Sequence, residues 1–365
     1  MHFNLDRVGV MTATSITPPS LQDINLLHQH LTVLATLPEN GDLVLSIHLD
    51  LSSPLDALRS KFSIWCAAAA IATPPSKRNS FHAARAEVAA ILKKDWPESV
   101  NSLAIFVRAG ESPLSLVMPF GARLETQFSV GSLPAIFPLV QLKDRFHRFV
   151  VVIRTEESSR IFEITLGAVS EQILATRPEM RERIGREWTR EHYHQLKREN
   201  DRRFLKDQVT IIGSLMSKRG LNYLILAGHP RQVNALRAAL PKDIESRVAG
   251  TVMRAPNGND YSDVLEDAIE TFIEAEQNES HGTVERLHEQ LCRGGLAVVG
   301  IDATRYAMQY GTASELVISE DLPHAIREDL VRVATSLEIA IEVCEGDELL
   351  NSHGGVGCLL RYRLP

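Results

Sequence analysis

Residues Leu221–Val252 read LNYLILAGHPRQVNALRAALPKDIESRVAGTV. The opening LNYLILAG is a short apolar run closed by glycine, the signature of a buried strand. RQVNALRAAL, from Arg231 to Leu240, follows as a helix, and ESRVAGTVM, from Glu245, as a second strand. Gly228-His229-Pro230 stands at the corner between them. It has a faint likeness to a phosphate cradle, but a strand-to-helix corner accounts for it more simply. Strand, helix and strand in succession set the chain in the α/β class.

Just upstream lies RERIGREWTREHYHQLKRENDRRFLKDQ, Arg181–Gln208, with nine Arg or Lys, two His and six acids in a chain of net charge -7. From Phe204 onward, Leu205, Val209, Ile212, Leu215 and Met216 can bury one face of a long helix. From Arg181 to Arg203 only Ile184, Trp188, Tyr193 and Leu196 are large and apolar. The spacing therefore predicts an anchored C-terminal half and an arm projecting into solvent. Three readings of the arm stand side by side. Aromatics and guanidinium planes stack on unpaired bases while cations neutralise phosphates; Glu187, Glu191 and Glu199 offer partners for a plain solvated helix; or the face meets another protein. His192 and His194 are two apart, so on a helix they face different ways and suit no shared metal.

Towards the N-terminus a helix is expected over about 21–37, then a buried strand, DLVLSIHLD, from Asp42 to Asp50. Ser52, Ser53 and Pro54 open a helix with the stripe Leu55, Leu58, Phe62, Trp65 and Ala69. Two prolines in TPPSKRN stop it. Ser80 restarts a second stripe, Phe81, Ala84, Val88 and Ile91, which makes an antiparallel hairpin with Lys77, Arg78 and Asn79 at its tip. Strands around 102–108, 114–119 and 124–130 complete an α/β unit ending near Leu142. RFVVVIRTEESSRIFEITLG then reads as a β-hairpin turning at Glu156–Ser159.

Downstream, a helix over about 261–276 turns Val264, Leu265, Ala268, Phe272 and Ile273 inward. Nine acids and no Lys or Arg lie between Asn259 and Glu285, so this reads as a solvated connector. GGLAVVGI, ASELVIS, EIAIEVCEG and VGCLLRYRL are strands with helices at 302–310 and 324–337 between them, a small α/β sandwich. SHGGVG, Ser352–Gly357, lacks the Lys-Ser/Thr of a P-loop and runs into a strand, so it reads as a turn.

At 365 residues the chain calls for two or three cores, and 44% apolar with 23% charged residues is a globular composition. The longest apolar run, IWCAAAAIA from Ile64, is too short to cross a bilayer. No basic segment leads into an apolar core at the start, and Cys66, Cys292, Cys344 and Cys358 show neither pairing nor metal-ligand spacing, as expected of cytoplasmic thiols. Net acidity leaves polyanion binding to local patches.

The order of units resembles that of the archaeal and eukaryotic class-one peptide-chain release factors and their relative Pelota, and most of all the bacterial members of that superfamily. Leu221–Val252 carries the likeness, with the acidic helix, GGLAVVGIDATRYAMQYGTASELVIS from Gly294 and the terminal GGVGCLLRYRL. The resemblance implies three domains: an N-terminal α/β domain with a helical hairpin over 1–142, a central α/β domain with a projecting loop and long helix over 143–278, and a C-terminal L7Ae-like α/β sandwich over 279–365. Release factors carry Asn-Ile-Lys-Ser at the hairpin tip; here TPPSKRNS keeps a Lys at Lys77 but not the tetrapeptide. They carry Gly-Gly-Gln before the long helix, a place that falls near Arg186, Glu187 and Trp188, and this sequence has no Gly-Gly-Gln. Larger residues resist the loop conformation that glycines permit, Trp has no amide to position water, and Gln195 lies about two helical turns further on.

What the resemblance then implies is a factor without stop-codon-dependent release, most like the Balon-type ribosome hibernation factors. Such a factor occupies the ribosomal A site, with Lys77, Arg78 and Asn79 toward the decoding centre and 16S rRNA. Arg183, Arg186, Trp188, Arg190, His192, Tyr193, His194 and Gln195 would face the peptidyl-transferase centre and 23S rRNA. Elongation factor Tu is an implied partner of the C-terminal domain; no catalysis, cofactor, metal, membrane or DNA enters. The alternatives are a rescue peptidyl-tRNA hydrolase with a divergent loop, and a scaffold binding RNA or protein away from the ribosome.

Overall fold

The computed structural model describes residues 12–15, 24–110, 112–155, 158–176 and 190–363. It is a mixed α/β protein with three sheets, as the patterning predicts. Strand β1 (Thr12–Ser15) has no counterpart in the sequence reading. Helix α1 (Ile24–Ala35) buries Leu27, Leu31 and Leu34, one face at helical spacing. Strand β2 (Val44–Asp50) leads to α2 (Leu55–Ala72), a 3-10 turn at Pro75–Lys77, and α3 (Arg78–Ile91). Strands β3 (Ser102–Arg108), β4 (Leu114–Phe120) and β5 (Gln127–Gly131) follow where they are expected.

Two elements went unread in the next stretch. Helix α4 (Phe137–Arg145) buries Phe137, Leu139, Val140 and Leu142, a run too short for periodicity to separate helix from strand. The predicted hairpin forms as β6 (Phe149–Arg154) and β7 (Ser158–Thr165), with Phe149 opposite Ile164 and Arg154 opposite Ser159. It then continues into β8 (Ala168–Thr176). Leu166 and Gly167, at φ 49° and 70°, make the left-handed pair that a tight hairpin turn requires.

The remaining order is α5 (Arg190–Arg219), β9 (Tyr223–Gly228), α6 (Pro230–Ala239), α7 (Lys242–Glu245), β10 (Val248–Val252), α8 (Ser262–Cys292), β11 (Ala297–Val299), α9 (Ile301–Gln309), β12 (Ala313–Ser319), α10 (His324–Ser336), β13 (Ala340–Cys344), α11 (Glu348–Ser352) and β14 (Val356–Leu360). Helix α8 runs well past its expected end near Glu276, because the polar stretch after that residue contains no proline to stop it. Nor are all of its acids solvated: Glu276 is buried, 3.3 Å from His147 Nε2. SHGGVG is indeed a turn, closing α11 and feeding β14.

The chain folds as two compact units. The smaller holds a sheet in the order β1-β8-β7-β6-β9-β10, with β9 parallel to both β6 and β10. Because side chains alternate across a strand, the quoted LNYLILAG serves two cores. Leu224 and Leu226 pack with Ile212 and Met216 of α5 and with Val233 and Leu236 of α6. Ile225 and Ala227 pack on the other side with Val264, Ala268 and Phe272 of α8. At the Gly-His-Pro corner, a Cβ on Gly228 would stand 2.2 Å from the Arg154 carbonyl oxygen, so only glycine fits. His229 caps α6, its Nδ1 accepting the Arg231 N–H at 3.4 Å.

The larger unit contains two sheets, β4-β3-β2-β5 and β11-β14-β12-β13. The first is antiparallel throughout; in the second β12 runs parallel to β13 and antiparallel to β14. Leu45, Ile47 and Leu49 of β2 face the α2–α3 hairpin, packing on Leu58, Phe62, Phe81 and Val88. Ser46 and His48 point the other way, and Ser46 Oγ accepts the Ala135 N–H at 2.9 Å. Helices α1, α4 and α10 pack together within this unit. Glu328 of α10 is buried there, accepting the Ile136 and Phe137 N–H groups at 2.7 and 3.2 Å. Arg332 donates to the Pro134 carbonyl at 2.7 Å, and the Arg327 guanidinium lies over the Phe137 ring at 3.9 Å. Asp144, at the end of α4, accepts the Val343 N–H of β13 at 2.7 Å.

Candidate RNA-contacting tips

The hairpin tip is built by a proline stop. Thr73 ends α2 in extended conformation and is buried, its hydroxyl donating to the Ala69 carbonyl at 2.8 Å. Pro74 and Pro75 turn the chain, and the Lys77 N–H closes a bond to the Pro74 carbonyl at 2.9 Å. The second helix starts at Arg78, two residues before the expected Ser80, whose hydroxyl instead donates to the Lys77 carbonyl at 3.0 Å. Arg78 Nε donates to the Thr73 carbonyl at 3.3 Å, so part of this guanidinium braces the tip. Arg78 and Asn79 are exposed and Lys77 is half-buried. Lys77, Arg78 and Asn79 thus come together at one end of the hairpin, two cations and an amide on a rigid corner.

Of the arm residues, Arg183, Arg186 and Trp188 lie outside the described residues. Arg190, His192, Tyr193, His194 and Gln195 fall in the first turns of α5, where the chain is helical. Positions 192 and 194 are then about 200° apart around the axis, on different faces. Anchoring begins at Phe204, which is buried, and continues through Ile212, Leu215 and Met216 as the spacing predicts. The far end is fixed by charge. Glu163 of β7 is buried and receives both Arg148 and Arg219, the last residue of α5. Among the described residues no three His, Cys, Asp or Glu side chains gather as a metal site. No helix among them is long and apolar enough to cross a membrane.

Sequence reasoning passed over one exposed surface. Tyr306 and Tyr310, 40% and 58% exposed, meet in a tilted ring contact with centroids 4.2 Å apart at the end of α9. The Arg361 N–H donates to the Thr312 carbonyl at 2.7 Å, two residues after Tyr310. The signal was present as YAMQY, aromatics four apart, and as RYR after the last strand. The outer face of α2 likewise exposes Ile64 and Ile71, 73% and 82% accessible.

Comparison with known proteins gives the following. Residues 134–272 match the family model described as bacterial archaeo-eukaryotic release factor family 10. The protein pelota homolog of Methanocaldococcus jannaschii is 25% identical over 226 residues, 59% of this chain and 61% of the relative. That of Pyrococcus furiosus is 22% identical over 185 residues, 47% of this chain and 52% of the relative. The chain therefore spans less than two thirds of the length of either. Among solved structures, S. cerevisiae Dom34, a translation termination-like factor, is similar at 13% identity and TM-score 0.44, over 72% of this chain and 80% of its own. A model of ribosome-bound archaeal Pelota and ABCE1 is similar at 13% identity and TM-score 0.44, over 97% of this chain and 99% of its own. Over these stretches the chain is similar to proteins of the release-factor and Pelota superfamily.

Proposed function

We propose that this chain is a cytoplasmic ribosome-binding translation factor that occupies the A site and protects or inactivates the ribosome, without stop-codon-dependent peptide release. One observation carries the reading: residues 134–272 match a release-factor family, yet the chain contains no Gly-Gly-Gln. In this reading Lys77, Arg78 and Asn79 contact 16S rRNA at the decoding centre. The arm from Arg183 to Gln195 grips 23S rRNA near the peptidyl-transferase centre, its cations on phosphates and its aromatics on unpaired bases. Occupancy alone keeps tRNA out, and elongation factor Tu meets the C-terminal sheet.

The test is cosedimentation with purified ribosomes across a salt series. Arg186→Glu with Arg190→Glu is expected to weaken binding and to flatten the log–log salt slope by about two, roughly one per lost phosphate contact. Unchanged affinity and slope overturn the reading. The similarity to Pelota homologues favours a second reading, a rescue peptidyl-tRNA hydrolase with a divergent loop. Labelled peptide released from ribosomes by the wild-type chain, and lost on Gln195→Ala, would establish that reading in place of the first.

A further inference from the structure

A cluster of side chains not used by the proposed function sits at the end of α8. His288 and Cys292 are four residues apart, on one face of the helix. The Cys292 sulfur lies 3.4 Å from His288 Nε2, and His288 Nδ1 lies 3.1 Å from His353 Nε2 in the turn before β14. The two imidazoles are 5.4 Å apart between centroids. The sequence of groups is thiol, base, and a third group that orients the base, each within reach of the next. The contacts use opposite nitrogens of His288, so they do not converge on one point as the ligands of a single ion do. What the arrangement supports is proton transfer.

The other three thiols form the contrast. Cys66, Cys344 and Cys358 are buried, whereas Cys292 is exposed. Burial pushes the Cys66 thiol up to about 11 and the Cys358 thiol up to about 12. Cys344 is raised as well, by burial and then by Glu342 and Asp347. None of these three is offered at the surface, so a disulfide partner for Cys292 comes from outside the chain. Two arginines lie on the same stretch: Arg293 follows in sequence and pairs with Glu289 at 3.5 Å, and Arg363 donates to the carbonyl of Gly294, two residues after Cys292, at 3.5 Å.

We propose that Cys292 is a modification site for thiol–disulfide exchange with a low-molecular-weight disulfide bearing carboxylates, with His288 accepting the thiol proton and His353 positioning His288. The Cys292 sulfur attacks one sulfur of the small disulfide, whose S–S bond breaks as the new one forms. The thiol proton passes to His288 Nε2 and from there to the departing thiolate, which leaves as a free thiol. Cys292 is oxidised and the released half is reduced, so no further oxidant enters. His288 must accept at Nε2, which assigns its own proton to Nδ1, donating to His353 Nε2.

Incubating the full chain with oxidised glutathione and following intact mass tests this. One adduct per chain is expected, mapped to Cys292 and absent from Cys292→Ser. His288→Gln and His288→Asn should each slow its formation by roughly tenfold, below the hundredfold or more of a base in a finished active site. His353→Gln should slow it less and displace the pH profile of the rate, which a merely structural residue would leave in place. An adduct on another cysteine, an unchanged rate in both His288 variants, or a Cys292-linked dimer in place of the adduct would overturn the proposal.

Discussion

His48 is wholly buried in β2, edge-on to Phe106, with no hydrogen-bond partner among the described residues for either ring nitrogen. Burial, and then His324, hold its basicity down from 6.5 to about 3. Between those values the unfolded chain carries a proton that the folded chain refuses. Stability from this group is therefore complete above about 6.5 and is lost as pH falls toward about 3. His48→Leu is expected to stabilise the protein by about 1 kcal/mol at pH 8, by removing two unpartnered polar atoms. At pH 5 the gain grows by about 2 kcal/mol. Urea denaturation at the two pH values measures both. DLVLSIHLD announced a buried strand, but not that its polar positions would be buried too, because strand periodicity says nothing about what covers the second face.

At the scale of the element, α5 carries the chain from Arg190 into the smaller unit's core. Its stripe from Phe204 to Met216 was legible because six apolar side chains, Phe204, Leu205, Val209, Ile212, Leu215 and Met216, recur at helical spacing. Gln208 interrupts that stripe. It is almost wholly buried, and among the described residues neither side-chain polar atom has a hydrogen-bond partner. Gln208→Leu should raise stability by about 1–2 kcal/mol, read as a higher denaturation midpoint, since it removes an unpaid desolvation cost in a cluster of Leu205, Val209 and Ile212. An unchanged midpoint would mean that Gln208 finds a partner in solution. The short helices α4, α7 and α11 were illegible for the opposite reason: each is brief, and tertiary contacts rather than local pattern fix its form.

At the scale of the molecule, the larger unit depends on carboxylates placed where helices and sheets meet. Burial raises Glu328 from 4.5 to about 7, against the pull of the Ile136 and Phe137 N–H groups and of Arg332 and Arg327. The folded state thus holds a proton through this window that the unfolded state releases. Its contribution is complete below about 4.5 and is lost as pH rises through about 7. Glu328→Gln puts an amide oxygen where one carboxylate oxygen meets both N–H groups, and it cannot ionise. The variant should gain on the wild type between pH 4.5 and 7, by about 3 kcal/mol at most, and hold a constant difference above that. A difference independent of pH would show that Glu328 stays ionised.

The sequence by itself determined the α/β class, the hairpin with its proline-stopped basic tip, the long anchored helix and the missing Gly-Gly-Gln. Each is written in local spacing or local absence. The tertiary structure decided what no spacing encodes: which side of β2 is covered, that Glu328 is buried against α4, and that the Tyr306–Tyr310 pair stands exposed. It also decided that Cys292 meets His288 and His353. His288 and Cys292 share a helix face by their spacing, but His353 lies far along the chain, and only the packing of the turn before β14 against α8 brings it within 3.1 Å.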